Sequence, residues 1–287
     1  MTWLRFVARA KQIEPDRSAR YFVTGEQLDI EPHLAARFLA EQRAVEIDPP
    51  EPGRYAAPFL PPPLGAAPLT VACVWRTGNP GYDRNDYVGR MARAVARNLQ
   101  VPHRFVCLTD ADAVPEGVER IPLLHNWPGF WSKVELFRPG LFAGPVIYLD
   151  LDTVVCGPLD PIAAAIAAHP LLCSWDMNHG WINSSFLAWN CDLGCVYEEL
   201  VANTRAVMKA YDGTGPWWGD QGHLQVTLDA RRIPWAWVQQ AVPHAVAWQP
   251  IPLRGKPAPN GTAVSMWYGN PKPHEHAASA WMREHWA

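Results

Sequence analysis

Apolar and polar positions follow two regimes along the chain, and the change comes near residue 69. From there, continuous apolar runs of strand length alternate with stretches whose apolar residues recur at helical spacing, the pattern of a parallel sheet covered by helices. Residues 69–75 read as the first buried strand, 103–109 as the second and 119–123 as the third, with Pro122 marking a sheet edge because it lacks a ladder donor. Between the first two, Val88, Met91, Val95 and Leu99 predict a helix with one buried face. Arg90, Arg93 and Arg97 lie on its other side and read as a solvated basic face. Residues 127–138 read as a loop entering a short helix, with Ser132 near its start. Beyond 160 the pattern predicts an alanine-rich helix over 161–168, strands over 171–175 and 182–190, and a helix capped by Asp192 and running through Val207. Another helix opens at 219, and a last strand covers 263–268.

Before residue 58 the pattern is weaker. Short apolar runs near 21–23 and 44–47 flank a predicted helix over 31–40, with Pro32 in its first turn and Leu34, Phe38 and Leu39 on one face. Prolines crowd 49–53 and 58–63, as in a stiff extended linker. The expected organisation is a small accessory module over 1–57, a proline-rich linker over 58–68 and an α/β domain over 69–287.

The stretch 146–155 carries the densest chemistry. An apolar run, entered through Gly144-Pro145 and left through Gly157-Pro158, ends in Asp150 and Asp152. On a strand extended to its end, side chains two apart point the same way, which would put both carboxylates on one side of the sheet rim. Two neighbouring anions there need exposure or a cation between them. A hard divalent ion, Mn²⁺ or Mg²⁺, bridged to a diphosphate meets that need. An isolated D-x-D pair is a weak signal, since most copies are solvated turn residues; its place at the end of a buried run distinguishes this one.

Composition narrows the picture. A chain of 287 residues that is 48% hydrophobic and 18% charged has enough apolar side chains for one large core plus an appendage. A net charge of -3 gives no general attraction to nucleic acid or anionic membrane. The 15 tryptophans point to wide pockets or ring-shaped ligands, and the 29 prolines to long irregular connections. The six cysteines sit mostly in apolar runs without zinc spacing. No apolar span of about 20 residues is present to cross a bilayer, and residues 1–5 lack a signal-peptide core, so the expected setting is soluble, reducing and cytoplasmic.

Five short motifs, in order, resemble those of glycosyltransferases with the GT-A fold. They are Trp131-Ser132-Lys133 with Phe137-Arg138, Tyr148-Leu149-Asp150-Leu151-Asp152, Asn183-Ser184-Ser185, Asp220-Gln221, and Gly269-Asn270-Pro271-Lys272-Pro273. The likeness is greatest to family 8, the glycogenin and lipopolysaccharide galactosyltransferase group, and spans 69 to about 276. It implies a Rossmann-like, mostly parallel sheet flanked by helices. It also implies transfer of a hexose from a nucleotide-sugar, a UDP-sugar, with retention of configuration and with Mn²⁺ or Mg²⁺. Carried onto this chain, it gives Asp150 and Asp152 as metal ligands, with Asp150 also near the donor ribose. Lys133 would reach the diphosphate or the sugar, Lys272 would close over the phosphates, and Asn183 would meet sugar hydroxyls. Asp220 and Gln221 would face the reactive carbon, so that Asp220, Gln221 and Lys133 form the catalytic set.

The loop 76–82 ends the first strand, where open α/β sheets bind ligands. It offers Arg76, Thr77 and Tyr82 to the nucleotide, with Asp110 as acceptor for a uracil N–H. Each polar residue also has a plainer reading: Lys133 as an exposed helix lysine, Lys272 as a loop lysine between prolines, Asn183 as a turn residue and Asp220 as a helix cap.

One position departs from the family pattern. The histidine expected three residues before Gly269 is Met266, a poor ligand for a hard ion, which leaves the third metal position to His274, His276 or water. The acceptor stays open among a glycan, a lipid-linked glycan, a protein and a modified base of phage DNA, the last served by the tryptophans and the Arg90, Arg93 and Arg97 face. A non-catalytic sugar-nucleotide or glycan-binding protein is the reading outside the enzymes.

Overall fold

The computed structural model describes residues 61–287 apart from 62, 66, 177–180, 214–217 and 268, and before residue 61 the backbone of five strands. The chain divides into an N-terminal unit reaching residue 57 and a larger unit beginning at 58. In the first, β1 (Thr2–Phe6) lies between β4 (Gln27–Ile30) and β5 (Ala44–Glu46), antiparallel to both. β2 (Ala10–Ile13) and β3 (Ala19–Phe22) form an antiparallel pair. The helix expected over 31–40 and the prolines at 49–53 lie outside the described residues.

The stretch 58–68, expected to be a stiff extended linker, is fastened part-way along. Pro63 bridges to Cys191, and Leu64 N donates to Asn190 O at 3.1 Å.

A seven-stranded sheet organises the larger unit. Its strands in chain order are β6 (Leu69–Trp75), β7 (His103–Thr109), β8 (Glu119–Pro122), β9 (Val146–Leu149), β11 (Leu171–Trp175), β12 (Ile182–Trp189) and β13 (Ala236–Trp237). The spatial order is β13-β11-β12-β9-β6-β7-β8, so Pro122 does sit on an edge strand. Every neighbouring pair is parallel except those made by β12, which runs antiparallel to both β9 and β11. β10 (Val154–Val155), β15 (Val264–Met266) and β14 (Val246–Trp248) form a second, small sheet.

Strand alternation builds two cores, one on each face. Val71, Cys73, Phe105, Cys107, Ile147 and Leu149 enter one; Ala72, Val74, Val106, Leu108, Val146 and Tyr148 enter the other. Each fully buried aliphatic side chain contributes about 1.5–3 kcal/mol, which fixes register because a one-residue slip would exchange the faces.

Helix α1 (Pro80–Asp83) starts within the loop after β6, capped by Asn79, whose side chain accepts from Gly81 N. In α2 (Tyr87–Asn98) the predicted face of Val88, Met91 and Val95 is buried, with Leu99 just beyond. Its three arginines are not simply solvated. Arg90 Nη1 donates to Trp286 O at 2.7 Å, Arg97 Nη2 to His285 O at 3.2 Å and Arg93 Nε to Ala287 O at 3.3 Å.

The remaining helices are α3 (Asp160–Ile166), α4 (Gly194–Ala202), α5 (Thr204–Ala210), α6 (Gly219–Arg231), α7 (Val238–Ala241) and α8 (Ala280–His285). The single helix expected through Val207 is two, divided at Asn203. Asp192 still accepts from Gly194 N at 2.8 Å ahead of the first. Among the described residues no helix is long and apolar enough to cross a membrane.

Candidate active site

The two carboxylates of 150–152 stand on a turn, where strand alternation predicted an extended end. β9 stops at Leu149 because Asp150 O is taken by Thr153 N at 3.0 Å and by Thr153 Oγ1 at 2.8 Å, which closes the chain on itself. Leu151, buried between them, packs into the core while Asp150 and Asp152 both face one cavity. The same-side arrangement therefore holds, with a hydrophobic anchor in place of the pleat.

The cavity encloses about 650 Å³ at the C-terminal ends of β6 and β9, the expected ligand position of an open α/β sheet. The loop after β6 supplies Arg76, Thr77 and Tyr82; the 3-10 helix Gly129–Phe137 supplies Lys133; and the start of α6 supplies Asp220 and Gln221. Because β12 runs backwards, its first residues reach the same rim and bring Asn183 and Ser185. Lys272 closes the far side, in the segment after β15.

Unlike charges alternate around the turn. Lys133 Nζ lies 3.0 Å from Asp220 Oδ2 and 3.4 Å from Asp150 Oδ1, and it donates to Ser184 Oγ at 2.9 Å. Ser184 in turn donates to Asp220 Oδ2 at 2.6 Å. Burial disfavours the Lys133 ammonium, but Asp150 and Asp220 outweigh it and hold the group protonated, above the ordinary lysine range. Asp150 also receives the Tyr148 hydroxyl from behind.

Lys272 Nζ pairs with Asp152 Oδ2, and Tyr82 OH donates to the same oxygen at 3.3 Å. Burial raises the Asp152 carboxyl above its usual range and Asp150 adds to this, while Lys272 works in the other direction. Burial, and then Asp152 and Asp150, push the Tyr82 phenol far up, so it stays a neutral donor.

Ten of the sequence candidates line the cavity, and Asp110, His274 and His276 do not. Asp110 supports the loop from outside: it accepts from Thr77 N at 2.8 Å and faces Arg76 Nη1 at 4.0 Å. His274 sits against Tyr87, its Nδ1 2.8 Å from the phenol oxygen. Met266 is 2% exposed in the core, and the ring of His276 packs on Trp267. Among the described residues no cluster of three or more metal-ligating side chains exists.

The donor set still fits a small hard cation. Mg²⁺ characteristically takes one or two carboxylates and completes its shell with water and substrate phosphate, and Asp150 with Asp152 offers that pair to the cavity. The sequence reading gave no role to Tyr148, Ser184, Phe130 or Trp218, although the first two stand inside the motifs it singled out. No periodicity or spacing signals their part: Tyr148 turns its hydroxyl to Asp150, Ser184 reaches Asp220 across 36 positions, and Phe130 meets Trp218 only in the folded chain.

No protein-family model and no curated protein matches the sequence. Solved structures do. An active-site mutant of LgtC is similar at 12% identity and a TM-score of 0.52, covering 75% of this chain and 93% of that one. Galactosyltransferase LgtC in complex with donor and acceptor sugar analogues is similar at 14% identity and a TM-score of 0.51, with the same coverage. The glycosyltransferase GlyE of Streptococcus pneumoniae TIGR4 is similar at 13% identity and a TM-score of 0.51, covering 76% of this chain and 63% of that one. The mixed, mostly parallel sheet flanked by helices thus has the GT-A glycosyltransferase fold.

Proposed function

We propose that this protein is a glycosyltransferase that moves a hexose from a nucleotide-sugar, a UDP-sugar, to an acceptor hydroxyl with retention of configuration. The observation that carries the reading is the one cavity into which Asp150, Asp152, Lys133, Asp220, Gln221 and Lys272 all face. In the reaction the bond from the anomeric carbon to the donor phosphate breaks, and its electron pair stays with the departing diphosphate. The acceptor oxygen bonds to the same carbon, and its proton leaves to the released diphosphate.

Negative charge therefore grows on the phosphate, and fixed positive charge aimed there lowers the barrier. Lys272, tied to Asp152 in the free protein, is the cation for that role. Lys133 is held by Asp150, Asp220 and Ser184, so it provides a rigid charge and locks the Asp220 carboxylate in place. Asp220 and Gln221 face the sugar and support the positive anomeric centre. Asp150 and Asp152 would hold Mg²⁺ or Mn²⁺, which when bound supplies Lewis-acid stabilisation of the diphosphate.

A screen of UDP-hexoses by nucleotide release, with and without Mg²⁺ or Mn²⁺, tests this. Metal-dependent release that falls about 10²-fold in Asp152→Asn is expected. Release indifferent to both metal and Asp152→Asn would overturn the mechanism, and tight UDP binding without turnover on any donor would favour the binding-protein reading.

A further inference from the structure

Lys272 stands between β15 and the 3-10 helix Pro273–His276, outside any strand, so its place over the cavity depends on what fastens that segment. Two fastenings are close at hand: Arg254 Nη1 donates to Pro271 O at 2.6 Å, and Lys272 N to Glu275 Oε1 at 2.6 Å. A third comes from α2. His274 N donates to the Tyr87 hydroxyl at 3.3 Å, and that oxygen lies 2.8 Å from His274 Nδ1. A backbone N–H can only donate, so the hydroxyl accepts there and has its own proton to give to the ring nitrogen.

Tyr87 is 1% exposed, and its ring also braces the loop after β6. It meets the Tyr82 ring edge-on, the centroids 4.8 Å apart and the planes at 82°. Tyr82 in turn lines the cavity, donates to Asp152 and lies under Lys272 Nζ at 5.9 Å. Trp286 packs edge-on against Tyr87 at 4.9 Å and is itself covered by the Arg90 guanidinium at 4.5 Å. Gly81 brings α1 to the same histidine: a Cβ there would stand 3.3 Å from His274 Cε1, closer than side-chain carbons ordinarily pack. A bare ring would serve the packing on Tyr82 and Trp286, whereas the hydroxyl serves His274.

We infer that Tyr87 is a positioning residue for Lys272: its hydroxyl, acting through His274, sets where the Lys272 ammonium stands over the cavity. This rests on the proposed function, which supplies the role of Lys272, and adds to it a residue that lies outside the cavity lining. A lysine carries its charge at the end of a flexible four-carbon stem, so the ammonium meets the departing phosphate only while the backbone beneath it stays near the rim. A misplacement of about 1 Å in a catalytic group costs up to about 10²-fold in rate. Releasing one of three fastenings is a smaller disturbance, and a loss of about tenfold is expected. His274 thereby serves the site as a strut to Tyr87.

Two measurements on the full chain test this. Hydrogen–deuterium exchange without nucleotide or metal reads the fastening itself. The backbone amides of 269–276 should exchange about fivefold faster in Tyr87→Phe and in His274→Ala than in wild type, while unchanged protection of the central sheet shows that both variants fold. Nucleotide release from UDP-hexoses reads the effect on Lys272. Tyr87→Phe and His274→Ala should each lower kcat about tenfold, the double variant no further, and Tyr87→Phe by less than about twofold in a Lys272→Ala background. A tenfold loss that persists in the Lys272→Ala background would make Tyr87 a general structural support and overturn the inference. So would unchanged exchange over 269–276, whether or not UDP binds. A wild-type chain that neither binds UDP nor releases it from any UDP-hexose would instead defeat the glycosyltransferase reading and, with it, the role given to Lys272.

Discussion

At the residue scale the site depends on two lysines with different attachments. Lys133 is enclosed by two carboxylates and a hydroxyl, whereas Lys272 has one carboxylate partner and lies 5.9 Å over the Tyr82 ring. Removing the second should act on the departing phosphate, and Lys272→Ala is expected to lower kcat by about 10²–10³-fold while leaving the folding midpoint in urea nearly unchanged. Stopped nucleotide-release kinetics and a denaturation curve on the same sample check both halves. The lysines, the aspartates and Gln221 were legible because the family resemblance rests on charged residues at short spacing. Asp110 was not: it was expected to accept from a uracil N–H, and only coordinates show that its two oxygens are directed at Thr77 N and Arg76. Tyr148 lay in plain view beside Asp150, yet nothing in its position on an apolar run says that its hydroxyl turns to a neighbouring carboxylate.

At the scale of elements, α6 joins the candidate site to packing. Its first turn carries Asp220 and Gln221, and one turn later His223 is fully buried, its Nε2 2.9 Å from Val196 O in α4. A carbonyl can only accept, so that nitrogen holds the proton. Burial, the largest influence, lowers the His223 pKa below its ordinary 6.5, with the Val196 carbonyl acting the other way. Between the lowered folded value and 6.5 the unfolded chain binds more protons, so this contribution to stability is complete above about pH 6.5 and declines as pH falls below it. Melting temperatures measured from about pH 7.5 to about pH 5.5 should fall towards acid. His223→Gln, which keeps an N–H donor and cannot titrate, should show a smaller fall; an unchanged slope would remove His223 as the cause. Element existence was readable from apolar runs, and strand ends were not. The extended end expected at Asp152 became a turn because Thr153 bonds back to Asp150 O, and the helix expected through Val207 divides at Asn203. Both outcomes are set by tertiary packing and side-chain-to-backbone bonds that outweigh local propensity.

For the whole molecule, the pattern of alternating strands and helices was enough for an α/β sheet with helices on both faces, since each strand alternates between two cores. The mostly parallel direction was legible from strands alternating with helices, but the reversal of β12 was not, because a buried run looks alike in either sense. Nor was the fate of the α2 arginines, whose partners lie almost 200 positions away. Their use within the fold, together with a net charge of -3, predicts no salt-dependent binding to single- or double-stranded DNA. A gel-shift titration at low ionic strength checks this, and a shift that weakens steeply with salt would contradict it.

The backward run of β12 has a last effect. Its opening residues meet the rim from the opposite direction, with Asn183 and Ser185 lining the cavity and Ser184 tied to Lys133 and Asp220. Two cavity-lining side chains and the hydroxyl that links Lys133 to Asp220 are therefore carried by three consecutive residues, so a change at any one of them is felt on both sides of the rim.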